Sequence, residues 1–269
     1  MDTDGIGPLL EQIAPSSLAE TWDNPGWQVR IPGRDVTGIL LTLDVTTAAL
    51  DEAASHGCNL VFAHHPLLFR PLKSLDLSSP TGSLVGKAIG KGVSIWAAHT
   101  NLDVLPDGTS FALGKALGLE EMKLLAPLDR PEISTRVSSF GYGAVGNLPS
   151  ESSTMEVARS AARTLSSAVC QVAGETGRRH RRVAVVGGSG SSFMGEVVRS
   201  GATLFITADV RYHDSQEAVA RGLDLVILDH YATERPVLDG VRDRLQSMLP
   251  GIPVLIATTS STPYVSVEA

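Results

Sequence analysis

One arrangement recurs along this chain: a short apolar run halts on a histidine or an aspartate, and a helix-forming stretch follows. The run 37–45 (TGILLTLDV) closes on Asp44, and 59–63 (NLVFA) runs into His64-His65-Pro66. The run 93–98 (VSIWAA) leads to His99-Thr100-Asn101-Leu102-Asp103. Later, 203–207 (TLFIT) precedes Ala208-Asp209, and 224–228 (DLVIL) precedes Asp229-His230. A sixth run, 182–186 (RVAVV), passes instead into Gly187-Gly188-Ser189-Gly190. Short runs of this kind read as strands buried on both faces, the signature of parallel sheets.

Helical patterns fill the intervals at 46–56, 83–92, 110–117, 154–172, 192–200, 213–221 and 234–248. Strand and helix alternate, which predicts an α/β fold with mostly parallel sheets flanked by helices. An internal echo, LDEAASHGCNLVFAHHP at 50–66 against SQEAVARGLDLVILDHY at 215–231, predicts two related α/β lobes with a metal site between them. The Pro-, Gly- and Ser-rich segment 125–153 is the expected junction. It gives a first lobe at 1–125 and a second at 126–269, whose C-terminal part is expected to pack back on the first.

Composition narrows the function classes. The formal net charge is −7 and the sequence pI about 5.5, which argues against nucleic acid as a partner. Cys58 and Cys170 form no CxxC pair and are expected as buried free thiols. The first residues lack a basic segment followed by an apolar one, and no run approaches ~20 apolar residues. The expectation is a cytoplasmic protein without a membrane partner.

In open α/β sheets, functional groups gather at the C-terminal ends of strands. Of the chain's seven histidines, His64, His65, His99 and His230 fall there, with acids nearby. Where a strand bends into a loop, adjacent rings such as His64 and His65 can turn into one cavity, each serving a different metal. Asp103 adds a hard oxygen ligand. His99 could itself be a ligand, but is expected rather to orient a neighbouring ligand or to move a proton. Thr233 is the expected cap of the helix that follows, which starts at Glu234. His230 and Glu234 then share a side if the turn between them is helical. Glu234 is the candidate to bridge two ions through its two oxygens. Asp209 and His213 are further candidates for proton transfer, and Asn101, Trp22 and Asp23 for a substrate wall. Gly187–Gly190 reads as a tight strand-to-helix turn, since it matches neither GxGxxG with its acidic partner nor a P-loop. Arg178–Arg182 reads as a solvated basic loop.

These residues carry a resemblance. The stretches ETWDNPGWQV, GILLTLDVT, CNLVFAHHPLLFRPLKSL, AAHTNLDV, VAVVGGSGSSF, ITADVRYHDSQEA and DHYATE run from residue 20 to 234. Together they resemble the GTP cyclohydrolase I type 2 homologue family, the Ngg-interacting-factor-like dinuclear-metal proteins, in a short form without an inserted middle domain. The resemblance implies two divalent ions per chain held by His64, His65, Asp103, His230 and Glu234, with Glu234 shared, and a toroidal homohexamer. Two departures stand out: Ala208 where the family has glycine, and Asn24-Pro25-Gly26 where it has Asn-Val-Gly. The mixed nitrogen and oxygen donors suit Zn, Fe, Mn or Ni alike. The expected function is a metal-dependent hydrolase, of cyclohydrolase or phosphoesterase type, acting on a nucleotide or other small polar substrate. The alternative is a non-catalytic metal-binding or regulatory protein in a hexameric assembly.

Overall fold

The structure, a computed structural model, describes residues 1–130 and 139–265. In chain order the first part contains α1 (Thr3–Ile13), β1 (Gly26–Val29), β2 (Ile39–Thr42), α2 (Thr47–Ser55), β3 (Leu60–Ala63), α3 (Pro80–Lys91), β4 (Ser94–Ala97) and α4 (Thr100–Asp103). The second part contains α5 (Thr109–Ala116), β5 (Glu120–Pro127), β6 (Gly141–Ser153), α6 (Thr154–Thr164), β7 (Cys170–Ala173), β8 (Arg179–Ser189), α7 (Met194–Arg199), β9 (Leu204–Ala208), α8 (Tyr212–Ala220), β10 (Asp224–Leu228) and α9 (His230–Glu234). The chain then closes with α10 (Val237–Met248) and β11 (Val254–Ile256). It divides into two compact units, Met1–Leu102 with Leu238–Ser261, and Asp103–Val237 with Thr262–Ala269.

Each unit is built on a mixed sheet with helices, a two-lobed α/β fold of the kind the alternation predicts. In the first unit the order is β1-β4-β3-β2-β11. β11 joins beside β2 in parallel, so the chain's return completes the sheet it began with. Leu40, Val61 and Ile95 stand in register across β2, β3 and β4. They pack with Leu50 and Ala53 of α2 and with Val85 and Ala88 of α3. Their neighbours Leu41 and Phe62 point to the opposite face and are equally buried, as a strand covered on both sides requires.

In the second unit the order is β5-β6-β8-β9-β10-β7. The centre, β8-β9-β10, is parallel, while β5, β6 and β7 pair antiparallel. Glycine, proline and serine at 125–153 suggested a junction, yet the described part of that segment contributes the 13-residue strand β6. Gly141 and Gly146 fit there because their backbones pass so close to β5 that a Cβ would strike Ala126 O and Glu120 O. Residues 131–138 of the segment lie outside the described residues.

Three local readings are corrected. The helix expected over 154–172 stops at Thr164: Ser153 and Glu156 form a capping box at its start, and Ser166 turns left-handed (φ 51°) just beyond its end. The helix expected over 234–248 is two helices, with the break at Arg235-Pro236. Cys58 is buried, but Cys170 is exposed because β7 is an edge strand paired only with β10.

The basic run is not a solvated loop either. Arg179–Arg182 opens β8, and its alternation sends His180 into the core at 1% exposure. Burial pulls the His180 pKa down, against the opposing pull of Asp224. The ring lies between Thr203 Oγ1, 2.8 Å from Nδ1, and Asp224 Oδ2, 3.2 Å from Nε2. Asp224 also accepts from Glu175 N (2.9 Å) and Arg178 Nη1 (3.3 Å). One buried carboxylate thus ties β10 to β8 and to the loop before it. Replacing it strands several buried donors, so Asp224→Ala is expected to lower unfolding free energy by about 2–4 kcal/mol in urea denaturation.

Candidate functional site

Strand ends deliver the titratable groups, one set in each unit. In the first unit, β3 ends at Ala63 and the chain bends at His64 and His65. The backbone N–H of each donates back to β2 and its exit, to Thr42 O (3.0 Å) and Leu43 O (2.8 Å). This places the two rings side by side, 4.8 Å between centroids. His99, at the exit of β4, lies 5.4 Å from the His64 ring and 5.7 Å from the His65 ring. One ring nitrogen from each of the three lies within 4.8 Å of the others, a spacing suited to metal coordination.

Hydrogen bonds at the opposite ring nitrogen fix how each ring faces. His64 Nδ1 lies 2.8 Å from Ala98 O, and His65 Nδ1 lies 2.8 Å from Asp44 Oδ1. His99 Nδ1 lies 2.8 Å from Asp23 Oδ1. Carbonyl and carboxylate oxygens only accept, so Nδ1 carries the proton in each ring and Nε2 holds the lone pair in the neutral form. Ser261 in turn donates its hydroxyl to Asp44 Oδ2. Asn101 is fully buried, accepts from His99 N (2.9 Å) and donates to Ala14 O (2.7 Å), so it braces the loop.

The second unit repeats the logic. Asp229 caps α9, its Oδ1 accepting from Ala232 N. The turn from His230 to Glu234 is helical, which brings His230 Nε2 within 3.1 Å of Glu234 Oε1. His230 Nδ1 lies 2.6 Å from Asp209 Oδ2. Burial pulls the His230 pKa down, but the hydrogen bonds and charges of Glu234 and Asp209 together push it up to about 9. Thr233 is not the cap of a following helix; it sits inside α9, donates to His230 O (2.8 Å) and accepts from Gly188 N (2.9 Å). Asp103, closing α4, accepts from Thr109 Oγ1 at 2.6 Å.

Gly187–Gly190 gains a different meaning from a strand-to-helix turn. β8 continues through Ser189, and a Cβ on Gly188 would lie 2.3 Å from Glu234 Oε1 and 3.2 Å from His230 Cε1. Gly188 also has φ +68°, a conformation that disfavours side chains. The glycine makes room for the carboxylate. Asp209 is itself left-handed (φ 54°), whereas Ala208 ends β9 in extended backbone. The departure from the family's glycine at 208 is therefore accommodated without strain. His213 is exposed on α8, and its Nδ1 faces Gln216 Oε1 at 3.2 Å.

The roles of two of these groups follow from the fold rather than from the sequence. Asp44 was visible only as a strand end, and its role of holding His65 depends on the neighbouring strand β3. Asp23 is more than part of a wall. Its side chain is fully buried and accepts from His99 Nδ1, Thr100 N, Thr100 Oγ1 and Asn24 N. Burial alone would raise its pKa, but these bonds and the His99 charge hold it down at about 2. Asp23→Asn puts an amide donor among donors and is expected to remove about 1–3 kcal/mol of stability. A depressed carboxylate stabilises above its ordinary pKa of 3.8 and ceases to do so as pH falls through about 2. Urea denaturation from pH 7 down to pH 2 should therefore show the wild-type advantage constant to near pH 4 and vanishing toward pH 2.

Comparison with known proteins agrees with this architecture. The family model described as Duf34/NIF3 (NGG1p interacting factor 3) matches residues 1–263. A Nostoc protein called "GTP cyclohydrolase 1 type 2 homolog" is 35% identical over 242 residues, covering 85% of this chain and 89% of that one. One of the same name from Streptomyces coelicolor is 35% identical, covering 87% and 85%. A crystal structure of a Staphylococcus aureus hypothetical protein superposes with a TM-score of 0.91 at 26% identity, with 99% of both chains covered. A Bacillus cereus protein related to NIF3 gives 0.92 at 24% identity over 99% of each, a likeness of fold. The chain belongs to the Duf34/NIF3 family.

Proposed function

We propose that this chain holds two divalent metal ions on His64, His65, Asp103, His230 and Glu234, and is a metal-dependent hydrolase of a nucleotide or other small polar substrate. The observation that carries the reading is the repeated anchoring of Nδ1. Each of the four strand-end histidines is fixed there by a carbonyl or carboxylate, the arrangement that orients imidazole as a metal ligand and raises its basicity. The room left by Gly188 keeps Glu234 Oε1 clear of any side chain, as a carboxylate shared between two ions would need.

When bound, divalent ions supply Lewis acidity, lowering the pKa of a water and polarising an electrophilic carbon or phosphorus. The chain's own groups do the rest. Asp44 and Asp209 orient His65 and His230. His99, with its Nδ1 proton held by Asp23, offers Nε2 to accept a proton from the attacking water and return it to the leaving group. Zn, Fe, Mn and Ni all suit the donor set. The names of the Nostoc and Streptomyces relatives favour hydrolytic opening of a heterocycle. The family resemblance extends the proposal to a homohexamer, and the sequence expectation extends it to a cytoplasmic location. No helix among the described residues is long and apolar enough to cross a membrane.

Four outcomes test this. Glu234→Gln should weaken both ions together in elemental analysis, and unchanged metal content would remove its bridging role. Asp44→Asn and Asp209→Asn should each lower metal affinity by about 10–100-fold in chelator competition. Because a metal must displace the His230 proton, held up to about 9, apparent affinity should climb with pH until about 9 and release protons on binding. A flat profile between pH 6.5 and 9 would contradict His230 as a ligand. Turnover is tested by a panel of nucleotides and phosphoesters with the reconstituted chain, where activity should vanish in Glu234→Gln and reappear only with added metal in the wild type.

A further inference from the structure

Beside the histidines of the first unit stand two large aromatic rings that the core does not need. Trp22 is 59% exposed and Phe69 is 43% exposed. Their centroids are 6.0 Å apart with the planes at 66°, and they lie 6.4 Å and 6.1 Å from the His99 ring. The two come from loops more than forty residues apart, so local sequence does not bring them together.

Polar groups do. Gln28, only 6% exposed, donates to Asn24 O (2.7 Å) and accepts from Leu68 N (2.9 Å), bridging the Trp22 loop to the Phe69 loop. Asn24 Nδ2 adds a second tie to Leu68 O at 2.6 Å. Asp23, next to Trp22, is locked to His99 and Thr100. A buried amide and a buried carboxylate thus hold two exposed rings in place. The other two tryptophans, Trp27 and Trp96, instead pack edge to face on each other at 5.0 Å. Ordered aromatic surface beside polar reactive groups is the makeup of a ligand site.

We propose that Trp22 and Phe69 form a stacking subsite for a planar heteroaromatic ring of pyrimidine or purine size, seated beside His99. The inference deepens the hydrolase reading and rests on it for the chemistry that follows binding. Stacking supplies affinity for any base with a π-face, and His99 lies at the ring's edge, where a bond to be cleaved would meet the metal ligands.

Equilibrium dialysis of the full metal-loaded chain tests this with guanosine, cytidine and nicotinamide as planar probes and ribose as the non-aromatic control. At least one planar probe should bind saturably while ribose does not. Trp22→Ala and Phe69→Ala should each weaken that binding about ten-fold. Metal content should stay unchanged, and Trp22→Phe should recover much of the loss. Planar probes that bind no better than ribose would overturn the subsite, as would alanine variants that bind like wild type. So would alanine variants that change only the oligomeric state, since the rings would then be a contact between copies of this chain. Loss of metal from wild type with base binding retained would instead break the metal reading and leave the subsite standing.

Discussion

The strand-end groups of each unit depend on one repeated interaction: an oxygen acceptor that takes the Nδ1 proton of a histidine. Without it an imidazole at a loop turns freely and divides its population between tautomers. With it, the proton sits on Nδ1 and Nε2 points one way, carrying the lone pair whenever the ring is neutral. Ala98 O does this for His64, Asp44 for His65, Asp23 for His99 and Asp209 for His230. Three of the four acceptors are carboxylates, which also make the ring a stronger base toward an ion.

Parallel strand pairing is what brings those pairs together. Asp44 follows β2 and His65 follows β3, and parallel pairing of the two strands sets their ends side by side. β9 and β10 pair the same way in the second unit, bringing Asp209 beside His230. The hydrophobic registers that bury Leu40 against Val61, or Phe205 against Leu225, are therefore also what aligns acid with imidazole. The glycines of β8 complete the second set, because Gly188 leaves space that any side chain would take from Glu234.

Much of this was legible before any coordinates. Apolar runs with polar ends predicted the parallel centres of both sheets and singled out the four histidines. What escaped was non-local or weakly patterned. β6 has the composition of a loop, and its Gly141 and Gly146 are there because close packing on β5 leaves no room for a Cβ. His180 sat in a basic run whose alternation, not its charge, decided its burial. Asp44, Asp23 and Gln28 lie in recognisable stretches, but nothing local states what each one holds. Each acts through a residue distant in sequence, and only the fold shows the pairing. Thr233 and Glu234 resemble a helix start, yet they close the short helix α9, and Pro236 separates it from α10.

The central claim is that three of these oriented imidazoles, His64, His65 and His230, are metal ligands. Metal-free chain reconstituted with Zn, Fe, Mn or Ni and freed of excess ion can be analysed for metal content, with X-ray absorption reading the donor atoms. The account predicts two ions per chain in a mixed shell of imidazole nitrogen and carboxylate oxygen. A chain that retains no ion, or an absorption spectrum without imidazole scattering, would contradict it.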